Sequence, residues 1–128
     1  MIQLNEISTP ALAYLGDCVL EMQVRERLVC KGLSKSGHLN SEALLYVRAS
    51  AQAAAMERLL PLLSDTEMQY YKRGRNSGHL NVPKSASPAQ YRMATGMEVL
   101  FGYLHLSRQN ERIAELFAAA YPDEQHEN

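Results

Sequence analysis

Apolar residues return along this chain at helical spacing. No segment alternates apolar and polar positions for long, so the pattern predicts an all-α fold without a sheet. Thr9-Pro10 reads as an N-cap followed by proline at the first helical position, and Gly32 reads as the stop. Together they predict a first helix over about 10–31. After a polar connection at 34–39, Asn40 or Ser41 opens a second helix, rich in Ala and Leu, to about 60, where Pro61 breaks it. Ser64-Asp65-Thr66-Glu67 has the form of a capping box and starts a third helix to about 73. Residues 74–86 hold Gly, Asn, Ser and Pro without periodicity and read as a loop, long for so short a chain. Ser87-Pro88 repeats the cap-plus-proline signal and opens a helix to about 106. Asn110 caps a last helix to about 121. The length of 128 residues predicts one domain over 1–121, followed by a polar tail over 122–128.

Two of these helices are apolar on nearly every face. In the first, Ala11-Leu12-Ala13-Tyr14-Leu15-Gly16-Asp17-Cys18-Val19-Leu20 is interrupted only at Asp17. In the later one, Met93-Ala94-Thr95-Gly96-Met97-Glu98-Val99-Leu100-Phe101-Gly102-Tyr103-Leu104 is interrupted at Glu98. Such helices belong at the centre of a fold or at a subunit contact, so both carboxylates are expected to be at least partly buried. A buried unpaired carboxylate is costly, and two facing ones repel unless a cation lies between them. A hard divalent cation such as Mg²⁺ resolves that repulsion. Ala13 lies one turn before Asp17, and Thr95 and Gly102 flank Glu98 on its own face, so small side chains leave room for ion, water and phosphate. Gly16, Gly96 and Gly102 each cost helix propensity and suggest close backbone approach. The bland alternative is that each acid pairs with a basic residue or reaches solvent at a rim; residue chemistry alone leaves the two readings balanced.

Composition narrows the setting. The chain is 46% hydrophobic and 21% charged, ordinary for a globular protein and unlike a disordered or fibrous one. Net charge is only -1, yet Met68 to Met97 holds no acid while Lys72, Arg73, Arg75, Lys84 and Arg92 all fall there. A basic segment on a near-neutral protein suits a polyanionic partner. Cys18 and Cys30 share the first helix, roughly 18 Å apart by helical rise, too far for a disulfide. They read as reduced core residues of a cytoplasmic protein. The N-terminus has no signal-peptide pattern, and no apolar run approaches a membrane span. The four histidines, His38, His79, His105 and His126, are scattered and read as surface or structural residues.

At this point the sequence resembles a known family. Ala13-Tyr14-Leu15-Gly16-Asp17-Cys18-Val19-Leu20 is similar to the signature of the ribonuclease III family, whose core is Leu-Gly-Asp followed by a small residue and apolar residues. Ala94-Thr95-Gly96-Met97-Glu98-Val99-Leu100-Phe101-Gly102-Tyr103-Leu104 is similar to that family's second catalytic helix. Lys72-Arg73-Gly74-Arg75-Asn76 sits where the family carries a glycine-containing turn. The stretch from Pro83-Lys84 to Tyr91-Arg92-Met93-Ala94-Thr95-Gly96 is closer to the short subfamily called Mini-ribonuclease III. The similarity covers about residues 8–121. Larger members typically carry further acids where this chain has Ala13 and Thr95, and add a double-stranded-RNA-binding domain. Both departures fit the short subfamily, and the first leaves the number of tightly held metal ions open.

The resemblance implies an endonuclease-domain-like helical bundle, dimeric, with Asp17 and Glu98 as catalytic residues and ligands of Mg²⁺. It implies hydrolysis of double-stranded RNA to 5′-phosphate and 3′-hydroxyl ends, with the cation assisting at the scissile phosphate. Its expected natural substrate is a stem of the 23S ribosomal RNA precursor, with a ribosomal protein or pre-50S particle as a further partner. A-form RNA is read by shape, phosphates and 2′-hydroxyls, so Arg73, Arg75 and Lys84 are candidates for phosphate contacts and Asn76 for a ribose hydroxyl. Arg92, in the first turns of the catalytic helix, is a candidate for either a phosphate contact or a structural role. Glu21, one turn after Asp17, either assists the metal or pairs with Arg25. The competing reading is a catalytically inactive RNA- or ribosome-binding protein on the same fold. A helical nucleotide hydrolase and a purely structural dimer are weaker alternatives: the first lacks its acid cluster, and the second leaves both central acids unexplained.

Overall fold

The computed structural model describes residues 2–77 and 87–123. Among these it contains six α-helices and two 3-10 turns, and no strand. The helices are α1 (Thr9–Cys30), α2 (Ser36–Val47), α3 (Ala49–Leu59), α4 (Asp65–Arg75), α5 (Pro88–Leu106) and α6 (Asn110–Ala120). An all-α architecture is therefore what the periodicity predicted.

α5 is the axis of the structure and packs against α1, α3, α4 and α6. Its Met97, Val99, Leu100, Phe101 and Leu104 are fully buried. Side chains of this size each contribute about 1.5–3 kcal/mol when removed from water. The predicted capping box of Ser64 with Glu67 starts α4, and Ser87, predicted as a cap followed by proline, forms a second capping box with Gln90 at the start of α5. Glu67 has a second task. Its carboxylate, almost sealed from water, accepts from Nε and Nη2 of the partly exposed Arg112 on α6, both at 2.8 Å. The guanidinium beside it holds the Glu67 carboxyl below its ordinary value. At the other end of α6, Arg27 donates to the carbonyl of Tyr121 at 2.6 Å and Arg58 to that of Ala120 at 2.8 Å, so two cations complement the negative helix end.

Several expectations are corrected. The N-cap of α1 is Ser8, whose hydroxyl accepts from the Ala11 amide, and Thr9 is already helical. α6 is capped by Gln109, and Asn110 is its first residue. The expected single second helix is two. It begins earlier, at Ser36, and breaks at Arg48, whose backbone is extended (φ −66°, ψ 152°). The break separates a surface helix with no buried residue, α2, from a core helix, α3, that buries Gln52, Ala53, Ala55, Met56 and Leu59. A straight helix could not present both surfaces as required. Gly74 and Arg75, expected in a loop, complete α4, and 78–86 lie outside the described residues. The cysteines are free but exposed, not core residues, because α1 turns one apolar face outward.

Candidate active site

Asp17 and Glu98 stand on α1 and α5, and these two helices cross with their backbones in contact. Gly16 lies against the carbonyl of Glu98, and Gly102 lies against the carbonyl of Leu12. A methyl group at either position would overlap backbone, which cannot yield as a side chain can. The glycine next to one acid thus touches the residue that carries the other. The close approach inferred for Gly96 is also present: the Tyr71 ring lies where its side chain would be, with Gly74 of α4 facing Val99 and Gly96.

The electrostatics follow from that crossing. Glu98 is half-buried, and burial pushes its carboxyl up to about 8, with the negative charge of Asp17 acting in the same direction. The Asp17 carboxyl is also raised, first by partial burial and then by the charge of Glu21, although the residue reaches solvent more than its apolar surroundings suggested. Glu21 itself pairs with Arg25 at 3.0 Å. Among the described residues neither Asp17 nor Glu98 has a hydrogen-bonded or ion-paired side chain. The alternative in which each acid is locked to its own base is therefore absent from the structure.

Two raised carboxylates without a cationic partner fit a hard divalent cation, which would remove both the repulsion and the cost of burial. Among the described residues no group of three or more His, Cys, Asp or Glu side chains converges anywhere. A cation at this site would take two carboxylates from the protein and fill its remaining positions from solvent and substrate.

A cavity of about 340 Å³ is lined by Thr9, Pro10, Ala13, Gly74, Ser77, Tyr91, Arg92 and Thr95. Neither acid lines it, but Ala13 and Thr95 stand one helical turn before Asp17 and Glu98. Of the small residues expected to leave room next to the acids, Ala13 and Thr95 line this space, whereas Gly102 is packed against the Leu12 backbone. Ser77 and Tyr91 carry no role in the sequence reading, and Thr9 carries only that of a helix cap. A signal existed: Thr9-Ala13-Asp17 and Tyr91-Thr95-Glu98 each follow helical spacing and share one face.

The basic residues separate into groups. Arg73 donates from Nε to Thr9 Oγ1 at 2.9 Å and from Nη2 to the Ile7 carbonyl, and its guanidinium lies over the Tyr70 ring. It ties the segment before α1 to α4. Arg75 donates to Asn76 Oδ1 at 3.1 Å and lies over Tyr71, so these two residues form one unit at the end of α4. Arg92 is exposed at the cavity rim and has no hydrogen bond or ion pair among the described residues. Lys84 lies outside the described residues, as do His79 and His126. His38 sits on the surface, 3.9 Å from Glu42, and His105 is half-buried.

Residues 10–109 match the Ribonuclease III domain family. The chain is 46% identical over 118 residues to the Mini-ribonuclease 3 of Symbiobacterium thermophilum, covering 91% of each protein. It is 42% identical over 118 residues to the Mini-ribonuclease 3 of Streptococcus pneumoniae, covering 91% of this chain and 92% of that one. Its fold is similar to a crystal structure of a Fusobacterium nucleatum protein, with a TM-score of 0.83 at 24% identity over 92% of this chain and 96% of the other. With the fold, the crossing of α1 and α5 and these relatives in agreement, the chain belongs to the ribonuclease III family, in its Mini-ribonuclease 3 branch.

Proposed function

We propose that the protein cuts double-stranded RNA by Mg²⁺-dependent hydrolysis at Asp17 and Glu98. The ribonuclease III family to which it belongs is one of endoribonucleases that act on double-stranded RNA with a divalent metal. The observation that supports the assignment to these residues is the crossing of α1 and α5, on which stand two unpaired, raised carboxylates, one helical turn from Ala13 and Thr95 in the cavity wall. Asp17 and Glu98 would hold the cation, whose charge would activate water and polarise the scissile phosphate. A cation held here would have to displace the Glu98 proton, so its occupancy would rise with pH. Arg92 at the rim and the Arg75–Asn76 unit supply contacts for the duplex backbone, and Arg73 holds the start of α1 in place. Lys84 extends the basic segment along the chain. On family resemblance, the natural substrate is a stem of the 23S ribosomal RNA precursor, in the cytoplasm, with a ribosomal protein or the pre-50S particle as a further partner.

A duplex has two strands, and we infer that two copies of the chain meet across it. The support is the outer face of α1, where Tyr14 is 85% exposed and Met22 63%, with Cys18 exposed between them. An apolar groove of about 280 Å³, lined by Leu15, Cys18, Val19, Met22, His105 and Ile113 among others, adjoins that face. An exposed ring beside a groove suits an isologous contact, in which each copy fills the other.

The test is cleavage of a defined RNA duplex in Mg²⁺ by the wild type, Asp17→Asn and Glu98→Gln. Products with 5′-phosphates from the wild type, and a loss of about a thousandfold or more in either variant, are expected. Undiminished cleavage by Glu98→Gln, or binding of duplex by the wild type without cleavage, would overturn the assignment.

A further inference from the structure

The cavity one helical turn from the acids contains more chemistry than metal-assisted cleavage requires. Among the described residues that line this space of about 340 Å³, Thr9, Ser77, Tyr91 and Thr95 carry hydroxyl groups, Arg92 carries a cation, and none carries a carboxylate. Hydroxyls without carboxylates are poor ligands for a hard cation, so this is not a second metal site. The existing hydrogen bonds set which way the hydroxyls point. Thr9 Oγ1 already accepts from Arg73 at 2.9 Å, which leaves its own proton to donate. Thr95 Oγ1 donates to the Tyr91 carbonyl at 3.0 Å, and Ser77 Oγ to the Gly74 carbonyl at 2.8 Å, so both present lone pairs.

A site in which Thr9 donates, Ser77 and Thr95 accept and the Tyr91 hydroxyl can do either is mixed, and does not match a phosphate, which only accepts. It matches a group that both gives and takes a proton, and in an RNA backbone that group is the ribose 2′-hydroxyl. The place is also defined. Ala13 and Thr95 line the cavity one helical turn from Asp17 and Glu98, so a sugar here would adjoin the phosphate at the acids. Arg92 is exposed at the rim, where its guanidinium could reach a neighbouring phosphate of the same RNA strand.

We propose that this cavity seats one ribose of the strand being cut, next to the scissile phosphate, and reads its 2′-hydroxyl through Thr9, Ser77 and Thr95, with Arg92 on the adjoining phosphate. The proposal rests on the reading of the site as one that acts on duplex RNA, and it adds a discriminating function: the pocket distinguishes ribose from a sugar that lacks the hydroxyl proton.

The experiment compares the metal-free full-length protein on two duplexes of one sequence, one unmodified and one with a 2′-fluoro strand, which keeps A-form geometry but cannot donate. The wild type is expected to prefer the unmodified duplex. In Thr95→Val/Ser77→Ala the preference shrinks by about fivefold, the worth of a neutral hydrogen bond, and Thr95→Ser retains it. Arg92→Gln weakens both duplexes equally and lowers the salt slope by about one. Equal wild-type binding to the two duplexes, or a preference unchanged in the double variant while its helical circular dichroism is intact, overturns the ribose seat. An unchanged salt slope in Arg92→Gln overturns the phosphate contact. Binding is measured without cleavage. A protein that keeps the 2′-hydroxyl preference but fails to cut in Mg²⁺ would therefore sink the nuclease assignment and support the seat.

Discussion

Glu98 is kept from ionising by its own surroundings, and this has a measurable cost. In the folded protein its carboxyl holds a proton up to about 8, whereas in the unfolded chain it would release it near 4.5. Between those values the native state binds more protons, so the metal-free protein loses stability as pH rises through that window. Glu98→Gln removes the effect. Thermal melts without metal should show the variant more stable than the wild type at pH 8.5, on the order of 2 kcal/mol once solvent screening is allowed for, and nearly equal to it at pH 4. Adding Mg²⁺ should raise the wild-type melting temperature and leave the variant's unchanged; a response of equal size in both would detach Glu98 from the metal. At this scale Asp17 and Glu98 were legible because each interrupts a long apolar run. Thr9, Ser77 and Tyr91 were not, because polar residues near helix ends are common and only tertiary packing turned these toward one cavity.

At the scale of elements, the crossing of α1 and α5 decides everything near the acids. Gly16→Ala drives a methyl into the Glu98 carbonyl, so the helices must part. A destabilisation of about 3 kcal/mol in denaturant unfolding is expected, together with weaker Mg²⁺ affinity; a variant with wild-type stability would mean that the crossing tolerates separation. The turn from α5 into α6 makes a different prediction. Arg108 has a left-handed backbone (φ 63°), with its amide on the His105 carbonyl and that of Gln109 on the Leu104 carbonyl. This is a Schellman arrangement with arginine where glycine fits best. Arg108→Gly is expected to stabilise the protein by about 0.5–1 kcal/mol in the same assay, and a loss of stability would mean that the side chain contributes contacts that outweigh its strain. Helix starts marked by Ser-Pro or a capping box were readable because the cap chemistry is local. The break at Arg48 was not: it carries no proline or glycine, and it exists because α3 must enter the core while α2 remains outside.

For the whole molecule, the outer face of α1 is the feature that a single chain leaves unexplained. If Tyr14 enters a second copy, Tyr14→Glu places a charge in an apolar contact. The variant is expected to sediment as a monomer, retain the helical content of the wild type, and cut one strand of a duplex slowly or not at all. A wild-type monomer at micromolar concentration would overturn the proposed assembly. Residue patterns could not separate this face from the core, because α1 is apolar all round and burial depends on which neighbours the fold supplies.

What the sequence alone determined is local: helical class from periodicity, helix starts from caps, and two acids made conspicuous by apolar neighbours. Those properties depend on interactions within a few residues. What only the tertiary structure decided is relational. It set residues 17 and 98 at one crossing, drew the hydroxyls of 9, 77, 91 and 95 around one cavity, and committed Arg73 to the protein while leaving Arg92 at the rim. Each of these depends on distances between segments far apart along the chain, and such distances are fixed only when the helices pack.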